Sequence, residues 1–600
     1  MCTDVSGMKV LVMDAETTGI VSMVYTQTQI LQHEVFLIDS IERARSDKMP
    51  HLKAVYFVRP TNENMRLLQE EFKDPKYGEY HLFFSNFTRD GQVQQLAEAD
   101  EHEVVQQVHE YFADFLSVNS ELFSLNVPSV MGLSGDVWDQ SVFDRIQQGV
   151  CATLLALKKK PHIRYQQNSE MAQRVAETVV GTMDTETELF AGRRTETPPL
   201  LLLLDRRDDP VTPLLNQWTY QAMVHELIGI DNNRVDLRGR PSIPEGLEQI
   251  VLSADQDKFF EDNMLLNYGD LAENVKGLLD AFQAKTKSSK SISSIADMQS
   301  FVESFPQFRK LSGDVTKHVT LLGEINRLVD KEQLMEVSQV EQELACTEEH
   351  SSAVPMVENL LSKDSISAAN KERLGLLYAL RYEKESTNRI SQFCDTLGGE
   401  TATRVQQLLR LCGSAMRSGD LFSNKSWLAV TKRSLQRSIK GVQNVYTQHS
   451  PYLAQTLEAV LKGSLSENSF PFIGAPPDAA SANKKRTPTE VIVFMLGGVT
   501  YEEARYIAEM NLANPGVRVL LGGTTIHSST SFLEEISRVN LCGAPPQLPP
   551  AAAAPGTGMT STIAAIGMNP PISSKRLAAL TSSVTSSMQA GVNAAMSKLQ

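Results

Sequence analysis

The charged residues 205–209 are the first candidates for chemistry. Asp205, Asp208 and Asp209 stand beside Arg206 and Arg207, directly after a run of five leucines. Three carboxylates this close together suit a general acid–base pair or a divalent metal site. Alternating charges at the end of a strand also form ion-pair networks that brace a domain junction. The mixed signs favour this structural interpretation over catalysis.

Two glycine pairs are the second candidates. Gly497-Gly498 and Gly522-Gly523 each follow a short apolar run that is typical of a strand. A turn of this kind at the start of a helix can hold a phosphate group. Glycine also permits a tight strand exit with positive φ, and no basic residue neighbours either pair in sequence. We therefore favour tight turns, with a nucleotide-binding α/β enzyme as the alternative from a different class.

Motifs of common enzymes and metal sites are missing from the sequence. No Gly-Lys dipeptide occurs, which excludes the usual phosphate-binding loop, and neither His-Glu-x-x-His nor Cys-x-x-Cys is present. The 6 cysteines, at positions 2, 151, 346, 394, 412 and 542, have no metal-like spacing and are too sparse for a disulfide scaffold. We expect no catalytic residue, no metal and no cofactor, and hence a protein that is not an enzyme.

Composition narrows the class of partner. A chain of 600 residues exceeds one cooperative core, and a net charge of −15 disfavours nucleic acid. No basic region opens the chain as in a signal peptide, and no apolar run approaches the ~20 residues that cross a bilayer. We expect a cytoplasmic protein that does not span a membrane.

The elements that position these residues alternate between strand and helix. Leu200–Leu204 has no polar face and stops at charges and prolines, which predicts a buried, parallel strand. Residues 1–126 contain four strand-like runs with helical spacers, at 9–14, 34–39, 54–58 and 80–84, so we expect a mostly parallel sheet.

A second α/β unit is predicted to be split. It begins near Val127, includes the leucine strand and resumes with Val491–Leu496 and Val517–Leu521. The intervening residues are helix-rich, and a long insertion between paired strands costs little free energy. Within the insertion, helical spacing predicts one long helix over 312–345, and the preceding helix meets Pro306, which together indicate a hairpin.

Three segments carry a family resemblance, in the expected order along the chain. They are residues 55–64 (VYFVRPTNEN), residues 205–214 (DRRDDPVTPL, followed by a Tyr-Gln-Ala-Met helix) and residues 496–503 (LGGVTYEE). The chain resembles the SM proteins, the Sec/Munc-type regulators of SNARE-driven membrane fusion. The resemblance extends over about residues 8–540.

The resemblance implies an α/β plus α architecture, the arch-shaped three-domain SM fold with two parallel-sheet α/β domains and a large helical insertion. The implied boundaries are domain 1 at 1–126, domain 2 at 127–223 and 484–541, domain 3a at 224–350, domain 3b at 351–483, and a low-complexity tail at 542–600. The tail is rich in Pro, Ala, Ser, Thr and Gly, and we expect it to be disordered.

Three binding surfaces follow from the resemblance. An amphipathic helix over Glu101–Val118 and the strand after it would form the pocket for the N-terminal peptide of a Qa-SNARE, a syntaxin-like protein. The implied pocket residues are Phe115, Leu116 and Leu122. A cleft between domains 1 and 3a would hold the SNARE motif, with Arg43, Arg45, Arg59 and Glu63 as rim residues.

The third surface is the helical hairpin. Pro306 matches a hinge proline where the long helix is furled or extended, and Val319 and Leu322 would contact an R-SNARE. The alternative is a proline that merely ends one helix. The implied partners are a Qa-SNARE of endosomes and the trans-Golgi network, an R-SNARE and the assembled SNARE bundle, with the chain itself a monomer.

The implied role is vesicle fusion in traffic from the trans-Golgi network and endosomes toward the vacuole. The block after Asp205 favours this branch of the family, with a location in the cytoplasm and peripherally on Golgi and endosomal membranes. An SM protein of another trafficking step is the nearest alternative. A tether that makes no SNARE contact, and the nucleotide-binding enzyme above, are alternatives from other classes.

Overall fold

A computed structural model describes most of the chain as two compact units. The described residues are 1–43, 47–89, 91–130, 139–191, 197–241, 243–289, 295–347, 349–419, 421–422, 446, 448–474 and 487–539. The first unit contains residues 1–206, 453–499 and 503–526, and the second contains residues 207–452, 500–502 and the described residues from 527.

The first unit begins with a parallel five-stranded sheet in the order β2-β1-β3-β4-β5. Its strands are β1 (Lys9–Met13), β2 (Val35–Ser40), β3 (Met49–Val58), β4 (Tyr77–Phe84) and β5 (Val105–Glu110). Its helices are α1 (Ala15–Val24), α2 (Gln27–Leu31), α3 (Asn62–Lys73) and α4 (Gln92–Ala99). The four predicted strands and the parallel sheet are confirmed.

The predicted helix over Glu101–Val118 is wrong. Residues Val105–Glu110 form the edge strand β5, which pairs in parallel with β4. Val104, Val108, Phe112 and Phe115 recur every three or four residues, which resembles a helix. The free edge of β4 outweighs this weak periodicity, because β-branched valines fit a half-exposed strand well.

The second sheet has six strands in the order β6-β7-β13-β12-β9-β8, and only β6 is antiparallel to its neighbour. The strands are β6 (Leu116–Ser117), β7 (Leu122–Ser124), β8 (His162–Tyr165), β9 (Leu200–Asp205), β12 (Glu490–Leu496) and β13 (Arg518–Gly523). The helices beside this sheet in sequence are α5 (Gln140–Leu157), α6 (Glu170–Thr185), α16 (Tyr452–Leu461) and α17 (Tyr501–Ala513).

The leucine strand and the split sheet are confirmed. Leu203 pairs with Tyr165 on one side and with Phe494 on the other, so β9 is a central parallel strand. All five leucines are buried, because protein covers both faces of the sheet here. The pairing of β9 with β12 joins the two halves of the split α/β region.

The second unit is mainly helical. Its helices are α7 (Tyr220–Leu227), α8 (Lys258–Asn263), α9 (Tyr268–Ser289), α10 (Ile295–Lys331), α11 (Leu334–Cys346), α12 (His350–Ser362), α13 (Ala368–Tyr382), α14 (Ile390–Leu397), α15 (Gly399–Cys412) and α18 (Ser529–Ser537). Strands β10 (Arg234–Asp236) and β11 (Gln249–Val251) form an antiparallel pair. None of the described helices is both long and apolar enough to cross a membrane.

Two predictions about the hairpin are wrong. Helix α10 continues through Pro306 instead of ending there, and it stops at Lys331. The single helix predicted over 312–345 is interrupted at Gln333, whose φ of 49° is left-handed. The apolar spacing continues on both sides of the break, which is why sequence periodicity did not reveal it.

The predicted domain boundaries stay proposals. Strands β6 and β7 fall before residue 127 yet belong to the second sheet, and α18 falls after residue 484 yet contributes Phe532 and Ile536 to a core of the helical unit. The predicted tail lies outside the described residues.

Candidate functional site

The three implied pocket residues lie on one short hairpin at the edge of the second sheet. Leu116 begins β6 and Leu122 begins β7, and Leu116 pairs with Ser124 across the hairpin. The turn closes where the Val118 amide donates to the Leu122 carbonyl at 3.0 Å. Phe115 directly precedes β6, so the structure brings all three residues together.

Burial separates the three side chains. Leu122 is fully buried and Leu116 is 8% exposed, whereas Phe115 is half-buried. The Phe115 ring meets Phe123 edge to face at 5.9 Å, and Phe123 stacks on Phe494 at 6.1 Å. Phe115 can therefore offer apolar surface to a partner, Leu116 offers only its small exposed fraction, and Leu122 supports the hairpin from within.

The implied rim residues differ in what they can contact. Arg43 follows β2 with an exposed side chain 3.7 Å from Asp39, and Glu63 lies in the first turn of α3. The exposed Glu63 pairs with Arg66 at 2.7 Å, and this hydrogen bond lowers the pKa of Glu63. Arg45 lies outside the described residues.

Arg59, the remaining rim residue, is held inside the first unit. Its amide donates to Asp14 at 2.7 Å, and its Nε lies 3.1 Å from the Asp114 carboxylate. Asp114 is completely buried, and Arg145 approaches it from α5 with Nη1 at 3.2 Å. Asp114 therefore joins the carboxyl end of β3 to helix α5 through two guanidiniums.

Sequence reasoning missed this arginine–aspartate cluster. Asn86 also donates to Asp114 at 2.8 Å, and Arg145 donates through Nη2 to the carbonyls of Asp114 and Leu125 at 3.2 and 3.1 Å. Burial lowers the pKa of Arg145 to about 10, which leaves the guanidinium charged at neutral pH. No motif spacing signals such a cluster, because its members lie on separate elements.

The two residues of α10 that are implied for R-SNARE contact are buried. Val319 and Leu322 are each 1% exposed and belong to a core shared by α9 and α10, with Leu271 and Val275 among its members. They stabilise the pairing of the two helices. Contact with a partner would require this pairing to open.

Beside them lies a buried polar chain. Tyr220 Oη and His318 Nδ1 are 2.8 Å apart, and His318 Nε2 lies 3.1 Å from Asp257, which also pairs with Lys317. Burial lowers the pKa of His318. Burial alone would raise the pKa of Asp257, but its hydrogen bonds to His318 and Lys317 outweigh that effect and lower it.

The charged residues 205–209 make fixed structural contacts. Ser169 donates to Asp205 at 2.6 Å, and Arg206 pairs with Glu503 at 2.5 Å. The Ser418 amide donates to Asp208 at 3.0 Å, and the Thr212 hydroxyl donates to Asp209 at 2.6 Å. These contacts give the charged residues structural roles with partners outside the cluster, and an ion-pair network that braces a domain junction stays a prediction. Among the described residues, no group of three or more His, Cys, Asp or Glu is arranged to hold a metal.

Backbone conformation and packing explain why glycine occupies both pairs of positions. Gly497 and Gly498 have φ of 85° and 89°, which ordinary residues rarely adopt. A Cβ on Gly522 would lie 1.9 Å from the Phe123 ring, and one on Gly523 would lie 2.8 Å from Val499. Neighbouring side chains therefore occupy the space beside Gly522 and Gly523.

Comparison with known proteins identifies the family. The Sec1 family model matches residues 9–535. Vacuolar protein sorting-associated protein 45 of Mus musculus is 49% identical over 536 residues, which cover 88% of this chain and 92% of the relative. The Arabidopsis thaliana homologue is 46% identical over 562 residues, which cover 90% of this chain and 97% of the relative.

A solved structure supports the same assignment. The SM protein Vps45 in complex with the Qa SNARE Tlg2 (1-310) superposes with a TM-score of 0.82 at 44% identity, covering 89% of this chain and 94% of that chain. Family match, sequence identity and fold agree over most of the length. The chain belongs to the Sec1 family, the SM proteins that its three sequence segments indicated.

Proposed function

We propose that this chain is an SM protein that binds a Qa-SNARE and SNARE assemblies, and thereby promotes and regulates vesicle fusion between the trans-Golgi network, endosomes and the vacuole. The observation that carries the proposal is the 44% identical SM protein solved in complex with a Qa SNARE, with a TM-score of 0.82. At this identity over 89% of the chain, a shared partner class is the simplest expectation.

The Qa-SNARE peptide would dock against Phe115 and Leu116, with Leu122 supporting the hairpin. Partly accessible apolar side chains beside a buried aromatic stack suit capture of one or two apolar peptide residues. Each such residue contributes ~1.5–3 kcal/mol when fully buried. Arg43 and Glu63, both exposed, are the described rim residues most able to meet a SNARE motif, whereas Arg59 is only 11% exposed and is held by Asp114.

The pair of helices α9 and α10 would bind the R-SNARE. Opening it would expose Val319 and Leu322, which are buried in the described structure. Pro306 lies within α10, where proline removes one backbone donor and weakens the local helix. These properties support a hinge role for the segment around Pro306.

We further propose that the protein is not an enzyme and that it acts peripherally on Golgi and endosomal membranes through its SNARE partners. The fixed contacts of residues 205–209 and the crowded Gly522 and Gly523 argue against catalysis at either candidate. Incubation with ATP or GTP should release no phosphate above the level of a heat-denatured sample.

The experiment that tests the proposed branch is a set of titrations with soluble Qa-SNAREs from different trafficking steps. We expect tightest binding to the Qa-SNARE of endosomes and the trans-Golgi network. Tightest binding to a plasma-membrane or Golgi-entry Qa-SNARE would assign the chain to another step. Binding to none of them would contradict the proposed function.

A further inference from the structure

A cavity in the first unit has no role in the SNARE proposal. Its volume is about 550 Å³ and it lies where β3 and β4 end, against helix α5. It is lined by residues 59–62, 87, 89, 127, 141, 142, 144, 145 and 148. In parallel α/β sheets, ligands bind outside the carboxyl ends of the strands. The volume falls in the range of small-molecule sites.

Basic side chains outnumber acidic ones in the lining of the cavity, and the exposed Glu16, outside the lining, lies 3.5 Å from Arg59. Arg59, Arg89 and Arg145 line the cavity, and Asp144 is the one acidic residue in the lining. The carboxylate of Asp114, which holds Arg59 and Arg145 in place, is fully buried and lies outside the lining. Buried Asp114 thus fixes two of the lining arginines, and the exposed Arg89 adds a third cation, an arrangement that suits an anion.

Arg89 is the most exposed of the three arginines in the lining. Its side chain is 58% exposed, and its nearest acidic neighbour is Asp144 at 3.8 Å, too far for a hydrogen bond. An incoming anion would therefore compete only with a weak ion pair. Arg145, in contrast, is fixed by its contact with the Asp114 carboxylate and by the hydrogen bonds that its Nη2 donates to the carbonyls of Asp114 and Leu125.

Two helices begin at the cavity. Thr61 caps α3, and Ser141 lies in the first turn of α5, and both residues are in the lining. Helix amino termini carry partial positive charge and bind phosphate readily. Phe87, Val127 and Val142 add an apolar wall that suits the organic part of a ligand.

We infer that this cavity binds a phosphate ester of a small organic molecule, with Arg59, Arg89 and Arg145 holding the phosphate. Planar guanidiniums pair with carboxylate and phosphate oxygens alike, and three arginines suit the larger charge and the greater number of oxygens of a phosphate. The phosphate belongs either to a soluble metabolite or to a lipid headgroup, which supply the same chemistry.

The test uses the full chain and isothermal titration calorimetry with inorganic pyrophosphate. We expect one binding event, weakened about tenfold or more in Arg89→Gln, because a charged hydrogen-bonding group is lost. Asp144→Asn should tighten binding, because it removes the acid beside Arg89. Arg66→Gln is the matched control, since Arg66 is an exposed arginine on α3 outside the lining, and it should leave binding unchanged.

Flotation with phosphatidylcholine vesicles, with and without a phosphatidylinositol phosphate, shows whether the bound phosphate belongs to a lipid headgroup or to a soluble ester. Vesicle binding that depends on the phosphatidylinositol phosphate and on Arg89 assigns a lipid headgroup; pyrophosphate binding without it assigns a soluble ester. Absence of pyrophosphate binding, or equal binding in Arg89→Gln and Arg66→Gln, would overturn the inference. Qa-SNARE titration of the same Arg89→Gln sample shows separately whether the proposed function holds.

Discussion

Arg206 and Glu503 form a buried ion pair between positions 297 residues apart. Arg206 Nη2 donates to Glu503 Oε2 at 2.5 Å, and the side chains are 3% and 0% exposed. Arg206 Nε also donates to the Gly498 carbonyl at 3.0 Å. Two of the family segments, around residues 205 and 500, therefore meet at one arginine.

Glu503→Gln should destabilise the first unit. It removes the carboxylate that pairs with the buried Arg206, and removal of one partner of a buried ion pair typically costs about 3–5 kcal/mol. Glu509→Gln, on the same helix, is the control, because Glu509 is 59% exposed and its pair with Arg505 is worth at most about 1 kcal/mol. Urea unfolding followed by circular dichroism measures both losses. Equal losses would show that Arg206–Glu503 is not a stabilising contact.

Stability of the helical unit should fall as the pH is lowered. Burial lowers the pKa of His318, so below the unfolded-state value of about 6.5 the unfolded chain binds more protons than the folded chain. This histidine alone contributes at most about 1.4 kcal/mol of lost stability per pH unit, until its folded-state pKa is passed. Half-buried His225 and His449, whose pKa values are also lowered by burial, act in the same direction.

The contribution of His318 is isolated by substitution. His318→Asn should reduce the pH slope of the unfolding free energy, while His102→Asn, at an exposed position, should leave it unchanged. Urea unfolding at several pH values between about 5 and 7.5 covers the window below the unfolded-state pKa. An unchanged slope in His318→Asn would contradict the lowered pKa of His318.

Pro306→Ala should stabilise α10 and strengthen R-SNARE binding. Alanine restores a backbone donor and removes a helix-interior penalty of about 3 kcal/mol. Pro355→Ala is the matched control, since Pro355 also lies inside a helix of the second unit, α12. Amide exchange over residues 295–310 and R-SNARE titration measure the two effects. Equal gains in R-SNARE affinity from both variants would argue against a hinge at Pro306.

Elements with a strong local signal were predictable from sequence. The leucine run has no polar face, so its burial as a central strand follows directly. The later strands 491–496 and 517–521 pair with each other and, on their outer sides, with strands of the earlier half. The edge strand β5 resembles a helix in sequence, because apolar residues at 104, 108, 112 and 115 recur every three or four positions. Its true state depends on the open edge of β4, which no local pattern reports.

Contacts that join distant residues were beyond sequence reasoning. Asp114 is one acidic residue among 72 acidic residues, and nothing in its neighbourhood signals that Arg59 and Arg145 converge on it. Likewise, Val319 and Leu322 have the spacing of an apolar face, but the pattern does not say whether α9 or a partner covers that face. In the structure, α9 packs on α10 and covers this apolar face.

Calorimetric titration with the soluble part of an endosomal Qa-SNARE tests the central claim most directly. We predict tight binding that weakens when the N-terminal peptide is removed, and again in Leu116→Arg, whose charge would enter an apolar site. Leu189→Arg is the control, because Leu189 is 47% exposed on the same unit, and circular dichroism verifies that both variants fold.

The peptide deletion tests the wild-type protein, so it stays informative even where Leu116→Arg affects folding. Weakening by the deletion and by Leu116→Arg, but not by Leu189→Arg, is the predicted result. Binding that is indifferent to both the peptide and Leu116 would contradict the pocket, and absence of any binding would contradict the account as a whole.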